Sequence, residues 1–224
     1  AVRLLNERAA AVRPDFTFNA NNAADVINIG RALNGLQLAI ELAAARLRMM
    51  SPQEIAARLD QRFRLLVGGQ RSDLPHHQTL RATIAWSYDL LTNAERTLFN
   101  RLSVFHGGCT LEAAESVCAG DDLESDRVLD LITSLIDKSM VAADLSTEGA
   151  TRYRLLETLR QYGRERLIET GQENTVCQRH AEFYTMLAEQ LEAGYWGSHV
   201  SSAREQWLTE EDNVYAALEW LANQ

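Results

Sequence analysis

Residues 152–167, RYRLLETLRQYGRERL, change period in mid-run. Tyr153 and Leu155 alternate with Arg152 and Arg154, the period of a half-buried strand. From Leu156 the apolar positions are Leu156, Leu159, Tyr162 and Leu167, close to helix period. Few folds accommodate a strand that runs straight into a basic amphipathic helix. The partner strand is found just upstream. Met140 to Leu145 reads as a strand, Ser146 to Gly149 as a turn and Thr151 to Leu155 as the returning strand.

Three helices precede this hairpin. Thr92-Asn93-Ala94-Glu95 is a capping box that opens a helix through Leu102. Val104-Phe105 is a short extended piece ending at Gly107-Gly108. Thr110 caps a short helix to about Cys118. A third helix spans Asp126 to Asp137, with a stripe of Val128, Leu129, Ile132, Leu135 and Ile136. Three helices followed by a two-stranded hairpin predict a winged helix, a helix-turn-helix variant.

The rest of the chain is predicted to be helical. With three Pro among 224 residues and a dominance of Ala, Leu, Glu and Arg, helix is favoured. Val2, Leu5 and Ala9 mark a first helix that Pro14 breaks. Asn21 or Asn22 caps a second, through Ala32, carrying Val26, Ile29 and Leu33. Leu36 to Met49 is a third. Ser51-Pro52-Gln53-Glu54 starts a fourth, which runs to about Leu59, with a short piece through Leu66. Gly68 to Pro75 reads as a linker. In the last fifty residues Val176 to Leu191 is one helix and Gly194 to Gly197 a break. Arg204 to Leu208 and Asp212 to Trp220 form a further helical pair, the pattern that opens an α-solenoid. The expected fold is therefore mainly α: a helical domain over 1–67, a linker over 68–75, a winged helix over 76–170 and the start of a tetratricopeptide-like region over 171–224.

The chemistry is spare. A formal net charge of −9 gives no global attraction to phosphate backbones, so nucleic-acid binding would need a local basic patch. Such a patch is missing from the helix before the wing, the one that enters the major groove in DNA-binding winged helices. From Cys109 to Lys138 the bases are Arg127 and Lys138 alone. The acids are Glu112, Glu115, Asp121, Asp122, Glu124, Asp126, Asp130 and Asp137. The five arginines from Arg152 to Arg166, offset by Glu157 and Glu165, fit a solvated face or a contact with phosphate or an acidic neighbour. No glycine-rich P-loop sequence is present, and the single lysine, Lys138, has no glycines before it. The chain is thus expected to be no enzyme by itself. The five histidines (His76, His77, His106, His180 and His199) have no metal-ligand spacing. Cys109, Cys118 and Cys177 fit a reducing, cytoplasmic setting rather than a disulfide framework. No apolar run is long enough for a membrane span. The first residues begin inside an amphipathic pattern, as expected of a piece of a longer chain.

Several strings in order resemble one family. Asn34-Gly35-Leu36-Gln37-Leu38-Ala39 is similar to the G-L-P-L-A motif of NB-ARC proteins, a branch of the STAND-class signal-transduction ATPases. His77-Gln78-Thr79-Leu80-Arg81 and Trp86-Ser87-Tyr88-Asp89-Leu90-Leu91 resemble the start of their winged helix. Leu102-Ser103-Val104-Phe105 and Leu135-Ile136-Asp137-Lys138-Ser139-Met140-Val141 resemble its middle. Arg154-Leu155-Leu156-Glu157-Thr158 falls at the M-H-D motif. The similarity is greatest to large bacterial regulators in which this core accompanies a LuxR-type DNA-binding domain or a cyclase domain.

The resemblance implies an ADP/ATP switch in the intact protein, with an upstream P-loop domain and downstream helical repeats as partners within the chain. It places Leu36, Gln37, Leu38, Leu156 and Glu157 at the nucleotide, and Arg154, Leu155 and Thr158 at an interdomain hinge. Gln37 stands where the family has a proline against the adenine. Leu156 stands where the family has a histidine that donates to the β-phosphate. The implied role is that of a lever in a nucleotide-controlled transcriptional regulator. Two other readings stay open: a winged helix that binds DNA directly, and a protein-interaction scaffold that docks or self-associates through Tyr195, Trp196, Trp207, Tyr215 and Trp220.

Overall fold

A computed structural model describes residues 1–66, 75–120, 122–144, 151–195 and 200–224; for 60–66, 75–77, 193–195 and 200–202 it describes the backbone alone. The chain forms two compact units, Ala1–Leu91 with Asp137–Met140, and Thr92–Ile136 with Val141–Gln224. The fold is mainly helical with one small hairpin.

The first unit holds α1 (Val2–Val12), α2 (Ala23–Ala32), α3 (Gln37–Ala45), α4 (Pro52–Leu66) and α5 (Pro75–Asp89). α1 stops before Pro14, with Arg13 extended, as a residue preceding proline prefers. Asn22 sits at the cap position of α2, but its side chain makes no capping bond and instead ties the preceding loop through Thr17 and Asn19. Asn34 and Gly35, both at positive φ, turn the chain into α3. That helix is shorter than its pattern predicted. It passes into a 3-10 turn at Arg46–Arg48. Ala39, Ile40, Leu42, Ala43 and Ala44 are all buried, so α3 lies near the centre of this unit. α4 opens with the predicted box: Glu54 N–H donates to Ser51 Oγ (3.3 Å) and Ser51 N–H to Glu54 Oε2 (2.7 Å). It runs unbroken through Leu66, where the sequence pattern reads two pieces. α5 packs on α3 and α4 and starts at Pro75, a residue suited to the first helical turn. The linker expected at 68–75 lies, apart from Pro75, outside the described residues.

The second unit holds α6 (Asn93–Leu102), α7 (Leu111–Cys118), α8 (Val128–Asp137, its last residue grouped with the first unit), β1 (Ala142–Asp144), β2 (Arg152–Arg154), α9 (Glu157–Glu169), α10 (Glu173–Tyr195) and α11 (Val200–Ala222). The strands pair antiparallel with Ala143 opposite Tyr153. The expected extended piece at Val104-Phe105 is a turn. The paired residue comes later: Cys109 bonds Tyr153 from the other side of β2, with N–H···O distances of 2.9 and 2.8 Å. Gly108 makes this approach feasible. Its φ is +92°, and a Cβ there would lie 2.8 Å from the Tyr153 carbonyl oxygen. Gly163 lets α9 lie close on α6, since a Cβ there would meet Phe99 and Ser103 at 3.2 Å. The expected helix pair at Arg204–Leu208 and Asp212–Trp220 is one continuous helix, α11. Its apolar spacing holds period across the polar stretch that looked like a break.

No described helix is long and apolar enough to cross a membrane.

Candidate functional site

The helix-turn-helix of the second unit is built from local signals. Thr92 and Glu95 cap α6 reciprocally, with Glu95 N–H to Thr92 Oγ1 at 3.3 Å and Thr92 N–H to Glu95 Oε2 at 2.8 Å. The other oxygen of buried Glu95 accepts from the Ser134 hydroxyl at 2.6 Å, tying the start of α6 to α8. Thr110 caps α7 through Ala113 N–H. The turn after α7 is held by two arginines at the helix's carbonyl end, where a cation is favoured. Arg101 Nη1 donates to Cys118 O (2.7 Å) and its Nη2 to Asp122 Oδ1 (2.6 Å), and Arg179 donates to Ala119 O.

α8 buries Val128, Leu131, Ile132 and Leu135. Leu129, expected inward, is 44% exposed, and Leu131 takes its place. The inward positions follow i, i+3, i+4 and i+7 from Val128, and Leu129 falls a full residue off that stripe. The outward face is Leu129, Asp130, Thr133 and Asp137, with no basic side chain. Asp137 pairs with Arg48 at 2.8 Å. On the wing, Arg154 Nε donates to Asp144 Oδ2 at 2.5 Å. Arg152 turns inward.

Arg152 belongs to a buried polar joint between the wing and α11. Both its terminal nitrogens engage Glu210, the second also reaching Gly108 O at 3.0 Å. Fully buried Asn213 fills the centre. Its Nδ2 donates to Gly108 O (2.9 Å) and Glu210 Oε2 (3.1 Å), and its Oδ1 accepts from the His106 backbone N–H (2.8 Å). His180 Nε2 lies 3.3 Å from the same Oδ1. Because that oxygen is an acceptor, Nε2 is the ring nitrogen that carries a proton here. Burial pulls its pKa down to about 4, against a partial lift from the Asn213 bond. His180 packs on Phe105 and Tyr184. Sequence reading did not find this joint. Its members are spread from residue 106 to 213, and none stands at a recognisable spacing.

Five of the residues the resemblance singled out lie at the foot of the wing. Arg154, Leu155, Leu156 and Glu157 line a cavity of about 410 Å³ with His106, Arg160 and Asp212; Thr158 is exposed beside it. Leu156 is the N-cap of α9 and makes no side-chain cap bond. Glu157 accepts from Arg160 Nε (2.8 Å) and Nη2 (3.0 Å) and from Gln161 Nε2 (2.8 Å). The Arg160 bond holds its carboxyl below the usual range. The arginine donors at this cavity are thus already engaged by carboxylates, and Leu156 has none to offer. The residues present do not fit a phosphate held by side chains at this place. Leu36, Gln37 and Leu38 open α3 in the first unit. Leu36 packs on that unit's core, Leu38 is half-buried, and Gln37 is exposed with its amide donating to Glu41 Oε1 at 3.3 Å. Gln37 is therefore not a buried amide in search of a partner.

The three cysteines are free and buried, and burial pushes the Cys118 thiol up to about 12. Among the described residues no group of His, Cys, Asp or Glu is arranged to hold a metal ion.

Residues 91–168 match the family model of the winged helix-turn-helix domain, in agreement with the helix order and the hairpin, so the chain carries a domain of that class. Over 221 residues, 98% of its length, it is 50% identical to a protein of Mycobacterium bovis and to one of Mycobacterium tuberculosis, both named "Putative HTH-type transcriptional regulator". It covers 25% of each, so it spans about a quarter of the length of these relatives. A second Mycobacterium bovis protein, named only as uncharacterized, is 42% identical over 198 residues, 88% of this chain and 50% of that one.

Proposed function

We propose that this chain is a segment of a transcriptional regulator, and that its winged helix relays conformation between protein elements rather than reading duplex DNA. The observation that carries the reading is the outward face of α8. It presents Leu129, Asp130, Thr133 and Asp137 where a DNA-reading helix presents Arg, Lys, Asn or Gln. The wing adds no free cation, since Arg152 is bonded to Glu210 and Arg154 to Asp144. The wing's attachment to α11 gives the relay a mechanical basis: a shift of α11 moves Glu210 and Asn213, and with them Arg152 and Gly108. No catalysis is assigned to the chain itself, and a cytoplasmic location accords with this role.

The finer reading is an ADP/ATP switch of the NB-ARC kind, linked to an upstream P-loop domain and downstream helical repeats. It rests on the order of the resembling motifs alone. The side chains at Leu36–Leu38 and Leu156–Glu157 add no phosphate donor to it. Duplex binding is the second reading, and the comparisons favour it over the nucleotide switch. The matched family is a helix-turn-helix domain, and the two relatives at 50% identity carry that element in their name. That name belongs to chains about four times as long.

Fluorescence anisotropy with a labelled 30-base-pair duplex separates the first reading from the second. The relay reading expects binding weaker than about 10⁻⁴ M even at 50 mM salt, below ordinary non-specific affinity. Micromolar binding that weakens steeply by 200 mM salt establishes the second. A thermal melt with millimolar ADP tests the switch: at a hundred times the dissociation constant, binding to the folded state adds about 2.7 kcal/mol.

A further inference from the structure

The second unit holds another cavity, of about 520 Å³, distinct from the one at the foot of the wing. Four elements meet around it: the start of α7, the beginning of the wing strand β2, α10 and α11. Its volume falls in the range of small-ligand sites. The lining is mixed. Leu111, Phe183, Met186 and Leu187 supply apolar surface, and hydroxyls, amides and carboxylates supply the rest. Phe183 meets Tyr184 edge to face, with ring centroids 5.2 Å apart, and is half-buried, so part of its ring stays uncovered.

The polar lining has unused capacity. Gln190 contributes from α10 and Gln206 from α11, and neither amide makes a hydrogen bond among the described residues. The same holds for the side chains of Thr151 and Glu112. Thr110 Oγ1 accepts from Ala113 N–H at 3.2 Å, which leaves its own proton to donate. A glutamine amide both donates and accepts, and so does a threonine hydroxyl. A matching ligand must therefore donate and accept at several points.

Charge narrows the class. No lining residue is basic, so nothing in the lining pairs with a phosphate or a carboxylate. The two lining carboxylates are already compensated. Glu210 is bonded to Arg152 and Asn213. Glu112 stands in the first turn of α7, where the partial positive charge of the helix favours it. Little negative charge is left over for a cation. The ligand that fits is neutral, with several hydroxyls for the amides and threonines and an apolar carbon face for Phe183 and Leu187.

We propose that this cavity binds a neutral polyhydroxylated small molecule of the sugar class, held by Gln190 and Gln206 with its carbon face on Phe183. Thr151 of the wing strand and Glu210 of the joint share the lining, so a bound sugar ties the two together. That consequence rests on the relay reading, whereas the site rests on the cavity alone.

Saturation-transfer NMR on the 224-residue chain reads the binding, with D-glucose, maltose and myo-inositol as neutral probes at millimolar concentration. Transfer to the carbon-bound protons of at least one of them is expected. Glucose 6-phosphate and glucosamine, the charged counterparts, should bind more weakly than that probe. Gln190→Leu and Gln206→Leu should each weaken binding about tenfold, the worth of one well-made hydrogen bond. Both positions are exposed, so the thermal melts should stay those of the parent. No transfer to any neutral probe overturns the proposal. So does binding unchanged in the double variant, or a charged probe that binds more tightly than the neutral ones. Amide exchange at the Cys109–Tyr153 pair separates site from consequence. Slower exchange with sugar bound supports both, and unchanged exchange with binding intact supports the site and counts against the relay.

Discussion

The core around α3 and the joint between the wing and α11 are chemically opposite. The first is a cluster of alanine and aliphatic side chains, with Phe16 and Trp86, that gathers Ile40, Ala43 and Leu47 with Leu5, Val26 and Ile29. The second is a set of polar groups in which Arg152, Glu210, Asn213 and His180 satisfy one another. Apolar packing is non-directional and tolerates approximate fit. A buried polar set fixes position because each missing bond leaves a desolvated group behind. The first unit is thus held together, whereas the wing is held in place.

The contrast breaks first at Glu210. In Glu210→Ala the largely covered Arg152 guanidinium is left without its carboxylate, and loss of one partner of a buried pair costs about 3 to 4 kcal/mol. Chemical denaturation should show this as a lower midpoint. Ile40→Ala in the α3 core should cost slightly less, about 3 kcal/mol, from lost transfer energy and a residual cavity. A Glu210 variant as stable as the parent would mean that the joint positions nothing.

Proton linkage sharpens the same comparison, because the apolar core has nothing to titrate. His180 has a folded pKa of about 4 against 6.5 for the unconstrained side chain, and burial is the main cause. The unfolded chain therefore binds a proton over that interval that the folded chain does not. Stability falls as pH drops from about 6.5 toward 4, by up to about 3 kcal/mol for this group. His180→Phe keeps a ring against Phe105 and Tyr184 and removes the proton. Its melting temperature should decline less than the parent's across that interval. Parallel declines would place the acid sensitivity elsewhere.

What the sequence made legible follows the same division. The caps at Ser51, Thr92 and Thr110, the strand-to-helix switch at Leu155-Leu156 and the stripe of α8 are local patterns, and the structure contains them. Leu129 falls outside the stripe because six apolar residues in nine leave its edge undefined by period alone. The joint was hidden for a different reason. Asn213 lies more than a hundred residues from His106 and Gly108, and no periodicity marks a hydrogen bond across that separation. Gly108 was visible as a glycine, but only the Tyr153 carbonyl beside it shows what the glycine is for. Gly108→Ala should therefore cost about 2 kcal/mol, from the positive φ and the displaced carbonyl, and should loosen Cys109–Tyr153 pairing in hydrogen exchange before it affects α3.

The smallest effect belongs to a residue that the family resemblance places at the nucleotide. Glu157 stands in the first turn of α9, where a carboxylate is favoured, and accepts from Arg160 and Gln161 one turn on. These are exposed or half-exposed contacts, each worth a few tenths of a kcal/mol. Its depressed pKa means that the contribution is present above the ordinary glutamate range and is lost as pH falls through the folded value. Glu157→Ala should then change stability by only about 0.5 to 1 kcal/mol, well below Glu210→Ala and close to the limit of a denaturation curve. A loss as large as that of Glu210→Ala would show that the foot of the wing is a second fixed joint. A small loss means that Glu157 leaves the end of α9 free to move relative to the wing strand, and that the wing takes its position from α11.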